Sequence, residues 1–220
     1  MKIYTIPDTL EALIFDMDGT LYTHPEYVRF QIDRLIQELA ARRCAGFTET
    51  AEAIEAYRKN WAESHNNQQV SLGNVFKAFG VSIEESIRWR EELYHPEAYL
   101  KADPKLQKTL RTLKASYKLA VVTNNPVLVA QKTLSVLGVE DCFTAIVGLD
   151  TCKVSKPHSA PFLKAAGWCG VSPETCVALG DRYDIDVSLP LRLGMGGVQV
   201  DGVEDVYLLG DRLMNLRQSN

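Results

Sequence analysis

The sequence predicts an α/β protein, a doubly wound and mostly parallel sheet with an α-helical cap inserted into it. Short apolar runs recur along the chain, each closed by polar residues or glycine. Patterns of helical period fill most of the gaps between them. One long interval, residues 23–98, holds helical patterns and no convincing strand.

Taken in order, Ala12-Leu13-Ile14-Phe15 is a continuous apolar run closed by Asp16-Met17-Asp18-Gly19, as expected of a central strand buried on both faces. The interval that follows reads as successive helices: 27–43 with Phe30, Leu35, Ile36 and Leu39, 48–65 with Ala53, Ile54, Tyr57 and Trp61, then 70–79 and 83–94. Its aromatic residues read as packing. The core is accordingly assigned to residues 1–22 and 99–220 and the helical cap to 23–98. Asp103-Pro104 opens a helix carrying Leu106, Leu110 and Leu113, with Asp103 as N-cap and Pro104 at the first helical position. Further strands are expected at 119–122 before Thr123-Asn124-Asn125, at 145–147 before Gly148, at 176–179 before Gly180-Asp181, and at 197–200. Strands alternating with helices imply a parallel sheet.

With 220 residues the chain holds one α/β core plus an elaboration. A hydrophobic fraction of 46% and a charged fraction of 24% are ordinary for a globular protein. The net charge of −4 offers no electrostatic reason to expect nucleic acid or an anionic membrane as partner. Five cysteines, at 44, 142, 152, 169 and 176, form no C-x-x-C pair and read as reduced thiols of a cytoplasmic protein. No run of about 18 apolar residues is present. Nothing resembles a coiled-coil heptad, so a monomer or weak homodimer is expected.

In an open parallel sheet, reactive groups gather at the carboxyl ends of strands. Asp16, Asp18, Thr123, Asn124 and Asp181 stand at such ends and converge on one rim. Three carboxylates there would repel one another and raise their own pKa values. A hard divalent cation with oxygen ligands resolves that repulsion, and Mg²⁺ suits a site of a few carboxylates, water and phosphate. The histidines, at 24, 65, 95 and 158, lack ligand-like spacing and read as surface or capping residues.

The same residues resemble the haloacid dehalogenase superfamily. Its first motif stands as Asp16-Met17-Asp18-Gly19-Thr20-Leu21, its second as Thr123-Asn124, its third as Lys156 within Ser155-Lys156-Pro157, and its fourth as Gly180-Asp181-Arg182-Tyr183-Asp184-Ile185-Asp186. The resemblance implies a Rossmann-like catalytic core and, residue by residue, a set of roles. Asp16 would attack phosphorus and form an aspartyl-phosphate. Asp18 would protonate the leaving oxygen and then activate water. The carboxylates of Asp16 and Asp181, with the backbone carbonyl of Asp18, would hold Mg²⁺. Thr123 through its hydroxyl and Asn124 through its backbone N–H would bind phosphoryl oxygens, and Lys156 would offset the charge of both anions. Lys153, three residues earlier, is the alternative lysine, with Pro157 and Pro161-Phe162 favouring Lys156. The outer acid is Asp186 or Asp184, with Asp186 preferred because the family often places an acid five residues after the metal-binding aspartate.

The family's true dehalogenases lack an acid at the position of Asp18, so the resemblance implies a phosphatase. A phosphomutase such as a β-phosphoglucomutase-like enzyme is the alternative, and a catalytically retired binding module is a third reading. An insertion between the first and second motifs is where the family carries mobile lids, which suits a small phosphorylated metabolite. Candidates are a nucleoside monophosphate, a sugar phosphate or phosphoglycolate, with a lean towards the nucleotidase-like and phosphoglycolate-phosphatase-like branches.

Overall fold

The computed structural model describes the backbone of residues 1–218 and the side chains of residues 1–215. Six strands, β1 (Lys2–Thr5), β2 (Ala12–Phe15), β3 (Lys118–Val122), β4 (Ala145–Val147), β5 (Cys176–Gly180) and β6 (Gly196–Gln199), form one sheet in the order β1-β6-β5-β2-β3-β4. All neighbours run parallel except β1 and β6. Strand β2 is the centre, with Phe15 opposite Val121 on one side and Leu179 on the other. The chain leaves β2 for β3 on one flank and later returns to β5 on the other, so the carboxyl end of β2 is where strand order reverses.

The helices are α1 (Pro25–Arg42), α2 (Phe47–Ser64), α3 (Leu72–Ala78), α4 (Ile83–Leu93), α5 (Pro104–Lys114), α6 (Val127–Leu137), α7 (Leu149–Cys152), α8 (Ser159–Cys169), α9 (Ser188–Arg192), α10 (Val203–Tyr207) and α11 (Leu209–Gln218). Among the described residues no strand interrupts α1 to α4. Their buried side chains, including Leu35, Leu39, Ile54, Phe76 and Trp89, make an apolar cluster of their own that is joined by Val129 of α6.

The continuous apolar runs follow from a sheet covered on both faces. Leu13 and Phe15 of β2, Leu119 and Val121 of β3, and Val177 and Leu179 of β5 face the layer of α5, α6, α10 and α11. Ala12, Ile14, Ala120, Val122, Cys176 and Ala178 point the other way, towards Phe162, Ala165 and Ala166 of α8. Successive residues alternate faces and both faces are dry, so neither register tolerates a polar residue.

Several local expectations are met in the fold. Asp103 Oδ1 accepts from the backbone N–H of Lys105 (3.0 Å) and Leu106 (2.9 Å), capping α5. His24 and His158 cap α1 and α8 through Nδ1, each 3.1 Å from a backbone nitrogen. The five cysteines are free thiols. Among the described residues no helix is long and apolar enough to cross a membrane.

Most element ends shift by one or two residues from the expected ones, α1 for instance running Pro25–Arg42 against 27–43 and α3 Leu72–Ala78 against 70–79. The last parallel strand spans Gly196–Gln199 where 197–200 was expected, and β1 was not expected at all. β1 is an antiparallel edge strand whose residues are exposed or half-buried, so it lacks the apolar run that marks the inner strands.

Candidate active site

β2 delivers Asp16 to the rim as a buried residue, 4% exposed. Its Oδ1 accepts from Lys156 Nζ at 2.6 Å, and its buried Oδ2 makes no hydrogen bond. Burial, followed by repulsion from Asp186, pushes the Asp16 carboxyl up to about 7 against the opposing pull of Lys156. Lys156 itself is 1% exposed, and its three protons are fully used: Asp16 Oδ1 at 2.6 Å, Asp186 Oδ1 at 2.6 Å and the Val122 carbonyl at 2.9 Å. Burial pulls its pKa down, but the two carboxylates outweigh that and the net shift is upward. Lys153 projects outward to Glu84 Oε1 at 3.0 Å.

Asp18 turns away from this trio. Its Oδ1 accepts from the Tyr22 hydroxyl and its Oδ2 from Asn125 Nδ2 at 2.8 Å. Burial raises its pKa, while the Tyr22 bond works in the opposite sense. A carboxyl so raised is suited to carry a proton to a leaving oxygen. Neither Tyr22 nor Asn125 was singled out from the sequence. Tyr22 closes the turn that begins at Asp18, a turn with no helical period to single it out, and Asn125 directly follows Thr123-Asn124.

After β3, Thr123 Oγ1 accepts from the Asn125 N–H at 3.1 Å, which leaves its own O–H to donate elsewhere. Asn124 is half-buried, and its Oδ1 accepts from the Lys156 N–H at 2.7 Å. That bond ties the loop after β3 to the lysine loop.

After β5, Asp181 stands just before a π-helical turn, Tyr183–Val187, and Asp186 lies within that turn. Asp186 Oδ2 accepts from the Arg182 N–H at 3.1 Å, so both of its oxygens are engaged. Asp184 instead meets the backbone N–H of Gln69 at 3.0 Å, among the inserted helices. Asp181 Oδ1 is buried without a hydrogen bond, and Arg182 Nε stands 3.6 Å from it. The Asp181 carbonyl accepts from Gln199 Nε2 at 3.1 Å, and Gln199 Oε1 accepts from the Tyr4 hydroxyl at 3.1 Å. The unexpected edge strand β1 thus buttresses this loop.

Two glycines are set by close approach. Gly19, at φ +79°, leaves no room for a side chain, since a Cβ there would lie 2.7 Å from Asp181 Oδ2. A Cβ on Gly180 would meet Asp186 Cβ at 2.3 Å. Gly180→Ala is therefore expected to displace Asp186 from Lys156, costing roughly 1–3 kcal/mol in denaturant unfolding and most of the activity. Unchanged unfolding and turnover in that variant would show that the loop accommodates the methyl group.

Asp16, Asp181 and Asp186 each present a carboxylate oxygen, and these atoms lie within 4.8 Å of one another. The donor set fits a hard divalent cation on chemical grounds, because the buried oxygens left without a hydrogen bond, Asp16 Oδ2 and Asp181 Oδ1, belong to two of these carboxylates. The carboxylate of Asp18 is not part of this cluster. Beside it a cavity of about 230 Å³ is walled by the rim residues Asp18, Asn124, Asn125, Asp181 and Arg182 and, opposite them, by inserted helices.

Residues 10–193 match the family model described as haloacid dehalogenase-like hydrolase. The chain is 31% identical to the phosphoglycolate phosphatase of Psychrobacter arcticus over 79% of this chain and 76% of that one. It is 28% identical to the glyceraldehyde 3-phosphate phosphatase of Methanopyrus kandleri, covering 87% and 84% respectively. Among solved structures, a HAD phosphatase from Thermococcus onnurineus superposes with a TM-score of 0.56 at 24% identity, over 87% of this chain and 86% of that one. That likeness concerns the fold.

Proposed function

The chain belongs to the haloacid dehalogenase-like hydrolases, phosphatases among its relatives, and from that premise we propose that it hydrolyses a small phosphomonoester at Asp16 with the help of Mg²⁺. The observation that carries the reading is the buried Asp16–Lys156–Asp186 trio beside a separately held Asp18. It separates a nucleophile, neutralised by an ammonium, from an acid whose proton affinity is raised by burial.

Asp16 attacks phosphorus, the P–O bond to the leaving group breaks, and Asp18 gives its proton to the departing oxygen. The aspartyl-phosphate is then cleaved by water, whose proton Asp18 takes back. Lys156 lowers the repulsion between the carboxylate and the incoming phosphate, and the Thr123 hydroxyl and Asn124 N–H bind equatorial oxygens. The carboxylates of Asp16 and Asp181 and the Asp18 carbonyl would hold Mg²⁺, which neutralises phosphoryl charge when bound, with Asp186 as the outer acid. Residues 23–98 act as the cap, and Asp184 ties the loop after β5 to it through Gln69. A cavity of about 230 Å³ lies below the ~300 Å³ at which ligand pockets commonly begin, which supports a substrate of a few carbons over a nucleotide. Because the curated relatives are named as phosphatases, phosphate is taken to pass to water and not back to a sugar.

The test is release of inorganic phosphate from a panel of phosphorylated metabolites, with Mg²⁺ and with chelator. Cation-dependent release from two- and three-carbon esters is the expected result. Absence of release, together with absence of Mg²⁺ binding by calorimetry, would leave only the binding-module reading.

A further inference from the structure

Arg90, in the last turn of α4, is 4% exposed and lines the same cavity as Asp18, Asn124 and Asp181. Among the described residues its hydrogen bonds go to Ser86 alone, from Nη1 to the carbonyl at 2.9 Å and to Oγ. It has no ion-pair partner there. A guanidinium cannot shed its proton to escape burial, and a buried cation without a counter-charge costs several kcal/mol. Asp18 attracts it electrostatically, but both Asp18 oxygens are engaged by Tyr22 and Asn125.

A second cationic side chain, Arg58 of α2, reaches the same cavity. Its Nη1 donates to Glu55 at 2.8 Å, while its Nε is buried without a partner. Among the described residues lining the cavity the carboxylates are Asp18 and Asp181, both of the rim, and since Arg58 is paired with Glu55, Arg90 is the cation of the helical wall that no acid faces. An anion is missing from that wall.

We propose that Arg90, with Arg58 beside it, forms a carboxylate subsite facing the phosphoryl site, so that the preferred substrate is a small phosphorylated carboxylic acid. This rests on the phosphatase reading and names the substrate class of that site. The cavity is small enough for one short molecule to span it with its phosphate at the rim and its carboxylate at Arg90. The planar guanidinium fork matches a carboxylate in a way that a phosphomonoester alcohol does not.

Phosphoglycolate and 2-hydroxyethyl phosphate share a skeleton and differ in carboxylate against alcohol. Wild-type kcat/KM should favour the acid by about 10- to 150-fold, the equivalent of the ~1.5–3 kcal/mol carried by a hydrogen bond to a charged group. Arg90→Met should lose most of that preference, mainly through KM, and should slow the alcohol far less. Arg90→Lys should keep part of it. Calorimetry of both esters on Asp16→Asn with Mg²⁺ reads the same preference without turnover. Equal use of the two esters by wild type, an equal loss on both in Arg90→Met, or a preference for ethylene glycol bisphosphate over phosphoglycolate would each overturn the subsite. Failure to cleave any ester would sink the phosphatase reading, and the calorimetric comparison would still decide the subsite by itself.

Discussion

Asp16→Asn is expected to reduce turnover by a factor on the order of 10⁴ or more, as loss of a covalent nucleophile does, while leaving the protein folded. The isosteric amide keeps an oxygen for Lys156 and changes no volume. It should also make the metal-free protein more stable at alkaline pH. The folded pKa of Asp16 is raised to about 7 from an ordinary 3.8, so its contribution to stability is present below about pH 4 and lost as pH rises through about 7. An amide carries no such charge and escapes the loss. Thermal unfolding in chelator should place Asp16→Asn above wild type at pH 8, with the gap closing as pH falls towards 4. Mg²⁺ should narrow the gap at pH 8, because a cation relieves the same repulsion in wild type. A variant with normal turnover would remove Asp16 from the chemistry. A variant less stable than wild type at pH 8 would mean that the Lys156 pairing outweighs the burial of the charge.

The second large effect concerns Lys156. Lys156→Met fills a similar volume and withdraws the cation from between Asp16 and Asp186, leaving both buried and facing each other. Removing one partner of a buried ionic cluster costs about 3–5 kcal/mol. Loss of a preorganised charge at a reacting anion typically costs about 10²- to 10³-fold in turnover. Both losses should appear together, unfolding in urea and kcat on the same preparation, and Mg²⁺ should recover part of the stability and little of the rate. Lys156→Arg should rescue neither well, because three acceptors at 2.6, 2.6 and 2.9 Å converge on one compact ammonium and a planar fork cannot meet them. Stability within about 1 kcal/mol of wild type, with normal kcat, would show that Lys156 is dispensable.

The reach of sequence reasoning differs from element to element for physical reasons. β2 and β5 were legible because a strand covered on both faces must be apolar at every position, which makes a short unbroken run. β1 escaped because an edge strand is partly open to solvent, and four residues with exposed ends and a half-buried middle make neither an apolar run nor an alternation. The cap of α5 was legible because Asp103-Pro104 states its own geometry locally. Tyr4 and Gln199 were not, because each acquires its partner from a distant part of the chain, and neither was Arg90, because its place on the cavity wall is set by how the helices pack.

By itself, the sequence determined the strand ends and hence the rim: Asp16, Asp18, Thr123 and Asp181 each follow a run whose burial on both faces leaves its polar successor nowhere else to go. It also placed Gly19 in the segment that ends β2, whereas its close approach to Asp181 belongs to the tertiary structure. Only the tertiary structure decided which of two lysines lies against Asp16 and which of two acids faces it, because Lys153 and Lys156, like Asp184 and Asp186, differ by two or three residues in a loop that has no period to orient them. It alone paired Asp18 with Tyr22 and Asn125 and set Arg90 across the cavity without a counter-charge. Those relations are made by packing a helical insertion over a sheet, and packing brings together residues whose spacing along the chain carries no signal.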